Sequence, residues 1–135
     1  SIDVTDSGLR VEFAEGPEPR FFSPATAQWT MTGRMLVSSV ASLLGRGNHL
    51  TIFEGHTTPK PVTRSLESKW DLGANRALAL QQLFAEAGMS IDKVKQIKSL
   101  GDTEPAIMPK TDPRNLRIAL FIPFSKNDLK VDPTK

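Results

Sequence analysis

No cysteine occurs anywhere in this chain, and tyrosine is absent as well. The first absence excludes a disulfide framework and a thiolate zinc site, while leaving the compartment open. The second, with only two tryptophans, removes the basic-aromatic interleaving on which single-stranded nucleic acids stack. An excess of charge of one sign is lacking too. The 17 Lys and Arg stand against 15 Asp and Glu, so the net charge of +2 and the pI near 9.1 come without a basic face, and no nucleic acid partner is indicated. No apolar run approaches the ~20 residues that cross a bilayer. The longest, Ile118 to Phe124, is interrupted by Pro123.

Catalytic signatures are missing in the same way. There is no Gly-x-Ser-x-Gly elbow, no His-Glu-x-x-His and no phosphate-loop pattern, and an enzyme is not expected. His49 and His56 are the only histidines. Seven residues apart on one extended segment, they point to opposite faces and cannot share a metal. Glu54 and His56 do share a face, and His56 reads as a structural residue that fixes the turn after it. No metal and no cofactor are expected.

What is present suits one domain: 135 residues, 39% hydrophobic and 24% charged. Residues 1–8 are polar and read as a linker. Leu9 to Phe13 alternate as a short strand, and Gly16-Pro17-Glu18-Pro19 stops it. From Thr26 to Leu44 the positions Trp29, Gly33, Leu36, Val37, Val40, Leu43 and Leu44 fall on one helical face, ended by Gly45. Met31 and Met35 lie off that stripe as a candidate contact surface. His49 to Glu54 is a strand, and Thr57 to Lys69 is a long loop of the functional kind. A second helix covers 71–87, N-capped by Asp71 or Gly73. Val94 to Leu100 and the alternating segment 116–122 are strands, separated by a proline-bearing loop. The charged tail 125–135 is expected to be flexible. The order β-α-β-α-β-β predicts an α/β (α+β) sandwich, in which a mixed sheet carries packed helices and the two closing strands pair antiparallel.

One residue breaks the pattern of the second helix. Its apolar stripe runs Leu72, Leu80, Leu83, Phe84 and Ala87, with Gln81, Gln82 and Glu86 on the opposite face. At about 100° per residue, Arg76 falls inside the stripe, one turn from the helix start. A guanidinium directed inward keeps its charge and needs an anion. Either a carboxylate of the chain itself or the carboxylate of a ligand meets it.

Three blocks decide which question to ask of that arginine: Leu50-Thr51-Ile52-Phe53-Glu54-Gly55-His56-Thr57-Thr58, then Trp70-Asp71-Leu72-Gly73-Ala74-Asn75-Arg76-Ala77, then Asn115-Leu116-Arg117-Ile118. In this order and at these strand and helix positions, the chain resembles the OmpA-like peptidoglycan-binding domains. Within them it is most similar to the periplasmic domain of the flagellar stator B subunit, the MotB family. The likeness spans about Leu9 to Phe124, which places an OmpA-like domain at 9–124.

The resemblance implies a non-catalytic domain that holds the peptidoglycan stem peptide in the periplasm and anchors a flagellar stator to the cell wall. It implies a homodimer whose full-length form reaches the inner membrane by an N-terminal helix and meets a stator A subunit there. Since the chain starts at Ser1, it is expected to be a piece of a longer protein. The alternatives are a general envelope tether of the OmpA or lipoprotein type, or a divergent domain that has lost wall binding and serves as a protein-interaction module.

In the family, an arginine at the position of Arg76 meets a diaminopimelate carboxylate, and an aspartate at the position of Thr58 meets the ammonium. Arg76, Thr57, Thr58, Asn75 and Asp71 are therefore the candidate peptidoglycan-binding residues, with Asp71 as helix cap or replacement acid. Thr58 carries no charge, a deficit of ~1.5–3 kcal/mol for one charged hydrogen bond. Asp71 or Glu67 could supply the missing acid. Leu116 is a second departure, since the family places an arginine beside Arg117.

Overall fold

The computed structural model describes residues 1–17, 20–47, 49–64 and 66–124. The expected tail at 125–135 lies outside the described residues. In chain order the elements are β1 (Ile2–Val4), β2 (Gly8–Ala14), α1 (Met31–Leu44), β3 (Thr51–His56), α2 (Lys69–Glu86), β4 (Val94–Gly101) and β5 (Arg117–Pro123), with 3-10 turns at Ile91–Lys93 and Pro113–Asn115. The α+β sandwich with a mixed sheet is as the sequence predicts.

The sheet order is β1-β2-β5-β3-β4. Only the β3–β4 pair is parallel, as a helical crossover requires; β5 is antiparallel to both β2 and β3. The two closing strands therefore do not pair. β5 takes the centre because its Ile118, Ala119 and Leu120 are buried on both faces, whereas β4 carries Lys95, Gln96 and Ile97 exposed and suits an edge. Within the polar lead-in read as a linker, Ile2–Val4 adds an edge strand on β2, tied by the Ser1 ammonium to the Glu12 carbonyl.

Strand registers sort the side chains into two faces. Val11, Phe13, Ile118, Leu120 and Phe53 face α1 and α2 and make the core with Val37, Ala41, Leu80, Leu83 and Phe84. Arg10, Glu12, Glu54, His56 and Arg117 share the other face.

Helix α1 begins at Met31, not Thr26, because Thr30 caps it: its hydroxyl accepts from the Gly33 N–H and its own N–H is taken by the Phe21 carbonyl. The expected stripe is only partly turned inward. Val37 and Ala41 are buried, but Leu36 and Leu43 point outward with Met31 and Met35.

Helix α2 starts at Lys69, and neither expected cap is used. Ser68 is the N-cap, and Asp71 is the third helical residue, returning its carboxylate to the Ser68 N–H in a capping box. Gln81, expected outside, is buried, because α2 packs on β3, β4 and α1 at once and its buried arc widens to about half the circumference.

Where Gly73 crosses Gly55, the helix is seated on β3 with no side chain between them. A Cβ on Gly55 would lie 1.9 Å from the Gly73 carbonyl oxygen, and one on Gly73 would lie 2.5 Å from Ser99 Oγ. Ser99 Oγ donates to the Trp70 carbonyl, and Lys69 bridges to Asp102 at 2.8 Å, so the start of α2 is fixed to the end of β4.

Gly55→Ala is expected to cost about 3 kcal/mol, the upper end for overpacking, since backbone and not a side chain must yield. Thermal unfolding reads this as a Tm lower by ~10 °C. Gly16→Ala, whose Cβ meets nothing within 4 Å, should change stability by less than ~0.5 kcal/mol.

Candidate functional site: a buried guanidinium at a hollow

Arg76 lies on α2 two turns from its start, not one, because the helix begins at Lys69. It is only 6% exposed. Its Nε–H donates to the Thr26 carbonyl at 2.8 Å, and its guanidinium carbon lies 4.7 Å from the centroid of Phe22, which stacks in turn on Trp29. Among the described residues no carboxylate forms a salt bridge with it. Burial lowers its affinity for a proton. The nearby charges of Glu15 and Glu67 act against that, and Arg20 adds to it. A guanidinium stays cationic regardless.

Beside Arg76 is a hollow of about 250 Å³. Its polar lining is Arg76, Arg20 and Glu15; the remainder is apolar, with Phe22, Pro24, Ala25, Val62, Leu72 and Leu116. Leu116 thus makes one wall of the hollow apolar. The Thr26 carbonyl is aimed by a tight turn. Ser23 C=O accepts from both the N–H and the hydroxyl of Thr26, and Ser23 N–H returns to Gln28 C=O. Ala25 within it sits at φ 63°, a left-handed conformation that costs of order 1 kcal/mol for a residue with a Cβ.

The other expected residues are distributed unevenly. Thr58 is buried and lines a different hollow, of about 270 Å³, with Pro59, Lys60 and Thr111. Thr57 is buried and its hydroxyl donates to the Thr58 carbonyl, which turns it inward. Asn75 is exposed and donates to Glu67 Oε2. Asp71 is exposed, with its carboxylate engaged by Ser68. Of the five, only Arg76 lines the hollow beside it. Glu15, Arg20, Phe22 and Thr26 escaped the sequence reading because they sit in the irregular run between β2 and α1. The signal was an acid closing an alternating strand and an adjacent aromatic pair, Phe21-Phe22, with no strand or helix to serve.

On the opposite sheet face Glu54 accepts two hydrogen bonds from Arg10, at 3.0 and 3.1 Å, and one from His56 Nε2 at 2.8 Å. His56 is thus a structural residue that pairs with Glu54. Glu54, His56 and Glu104 place ligand atoms within 4.8 Å of one another, but Glu54 is already neutralised by Arg10. His49, exposed beyond β3, contributes to a separate apolar hollow with Leu9, Leu43 and Ile122.

No family model matches the chain. In fold it is similar to the periplasmic domain of Helicobacter pylori MotB, with TM-score 0.76 and 18% identity over 96% of this chain and 91% of that one. The cell wall anchor of the type VI secretion system from Pseudomonas aeruginosa follows at TM-score 0.74 and 22% identity, covering 93% and 87%. The OmpA-like domain of FopA1 from Francisella tularensis gives 0.60 and 15%, covering 92% and 82%. The fold is that of the OmpA-like domains, in the form taken by MotB periplasmic domains. In sequence the chain is 27% identical over 101 residues to a putative flagellar export/assembly protein, LafU, of Escherichia coli. That match covers 75% of this chain and 33% of the relative, so the chain spans about a third of the length of that protein.

Burial pushes the Glu54 carboxyl up, but hydrogen bonds from His56 and Arg10 and their charges outweigh it and hold the pKa at about 2. Its folded value lies below the unfolded one of 4.5. The stability it contributes is therefore complete above the unfolded value and is lost as pH falls through the folded one. Urea unfolding from about pH 7 to about pH 2.5 should show the wild type losing stability below ~4.5. Glu54→Gln should be less stable near neutrality and follow a flatter acid limb. Parallel limbs would remove Glu54 from the acid response.

Proposed function

We propose that this domain binds the stem peptide of peptidoglycan without catalysis, in the periplasm, and anchors a flagellar motor stator to the cell wall. One observation carries the reading: the Arg76 guanidinium is held at Nε by Thr26 and on its face by Phe22, and the residue lines a hollow. An arginine fixed in this way is prepared to grip an incoming carboxylate with two parallel hydrogen bonds, at little cost in side-chain entropy. The names of the similar proteins support the same direction, since they include a cell wall anchor, MotB periplasmic domains and a flagellar assembly protein.

The wider assembly belongs to the same proposal. It comprises a homodimer, a stator A subunit and an N-terminal inner-membrane helix. Met31, Met35, Leu36 and Leu43 form an exposed apolar strip on α1 on which a second copy could pack. A second reading, an envelope tether or an interaction module with weak wall binding, is favoured by Thr58, which has no charge and lines a hollow other than that of Arg76.

Isothermal titration of diaminopimelate-containing stem peptides tests the reading. Arg76→Ala is expected to bind ~10- to 100-fold more weakly, the loss of one charged hydrogen-bonded contact, with Arg76→Lys in between. Equal binding by wild type and Arg76→Ala would take Arg76 out of the site. Wild-type domain left in the supernatant of a purified sacculus pull-down would favour the interaction module.

A further inference from the structure

We propose that Glu15 supplies the ammonium-binding half of the Arg76 hollow, so that the site selects zwitterionic heads, a carboxylate and a free ammonium on one short group. The proposal rests on the ligand-binding reading of Arg76 and narrows its ligand class.

The lining of the hollow has both signs of charge. Arg76 and Arg20 are its cations and Glu15 is its anion. A ligand carrying only a carboxylate would satisfy Arg76 and be repelled by Glu15. One carrying only an ammonium would meet two guanidinium groups. A head with both charges satisfies both walls, and at about 250 Å³ the hollow is smaller than the roughly 300–1,000 Å³ of drug-sized sites, so it suits a head and not a whole wall fragment.

Glu15 is able to accept more than it does. It is 6% exposed at the end of β2, and its two oxygens accept one backbone N–H each, from Phe22 at 3.0 Å and Phe21 at 3.2 Å. A carboxylate has about four acceptor positions, so about two remain. Those two backbone bonds also hold it in place, as Thr26 and Phe22 hold Arg76, so both charges are fixed on the lining of one hollow.

Of the other nearby acids, Glu67 keeps one buried oxygen, Oε1, without a hydrogen bond, but it does not line this hollow. Asp71 accepts from both the N–H and the hydroxyl of Ser68, Glu67 Oε2 accepts from Asn75, and neither residue lines the hollow. Thr58 is uncharged and lines another. Glu15 is the acid placed to replace the one that Thr58 lacks.

Three probes decide: a stem peptide with a free diaminopimelate head, the same peptide with that amine acetylated, and the same peptide with lysine, which lacks the distal carboxylate. By calorimetry the wild type should prefer the free head to the acetylated one by ~10- to 100-fold. Glu15→Gln should bring those two affinities together while keeping the preference for diaminopimelate over lysine, which Arg76 provides. Equal wild-type affinity for the free and acetylated heads overturns the proposal, and so does full discrimination retained by Glu15→Gln. If Glu15→Gln loses its far-UV circular dichroism, Glu15→Asp is read instead, because it keeps the charge and draws it back by one methylene. A reduced ratio then supports the proposal, and an unchanged ratio overturns it. Loss of the effect of Arg76→Ala marks failure of the underlying reading, whereas a normal Arg76 effect with an unchanged amine ratio marks failure of the Glu15 assignment alone.

Discussion

Two glycines that face each other set the distance on which the rest of the domain depends. At Gly55 and Gly73 the backbones of β3 and α2 approach too closely for any Cβ on Gly55. The contact draws α2 down onto the sheet, so that Arg76, already inside the apolar stripe, is buried with the leucines, and the arc widens to take in Gln81. An arginine at the rim of the stripe could snorkel its head to water, but one inside it cannot. Here the guanidinium has to be accommodated.

The accommodation is incomplete in a way that bears on function. A buried guanidinium that is fully paired has its demand for acceptors met inside the protein, and its role ends with positioning. Arg10 on the far side of the sheet is of that kind, with Glu54 held by two of its nitrogens and Glu12 by the third. Arg76 receives one carbonyl, one aromatic face and the field of two acids at a distance. The turn that supplies the carbonyl includes an alanine in the left-handed region. Strain beside an under-coordinated cation is the arrangement from which a binding role is inferred, since each costs stability that the fold has no separate reason to give up.

Much of this was legible in the sequence, and the misses share a cause. Alternation in Leu9–Phe13 and in 116–122 located β2 and β5, and helical spacing located α2 and the inward arginine, because periodicity reports which face a residue occupies. Periodicity does not report what lies opposite. The pairing of β5 between β2 and β3, and not with β4, follows from non-local burial on both sheet faces. The start of α1 at Met31 follows from Thr30 binding Phe21, and the cap of α2 from the reciprocal Ser68 and Asp71 bonds. Of the site itself only Arg76 was visible. Glu15, Arg20 and Thr26 converge on it from an irregular segment some 50 residues away, which no local pattern encodes.

The two sheet faces make the same point about where an acid has to sit. Glu54, within β3, and Glu15, just past the end of β2, are both buried carboxylates, and both are hydrogen-bonded. Glu54 is enclosed by Arg10 and His56, whose hydrogen bonds occupy both of its oxygens. Glu15 is held by neutral backbone N–H groups, which fix its position but leave its charge to be balanced across open space by Arg76 and Arg20. Glu15 and Arg76 line the same hollow, each anchored by a hydrogen bond to backbone, and no salt bridge joins them among the described residues. On the proposed reading, their charge is left for a guest that carries the complementary pair, which is how a recognition site would differ from a structural salt bridge built of the same residue types.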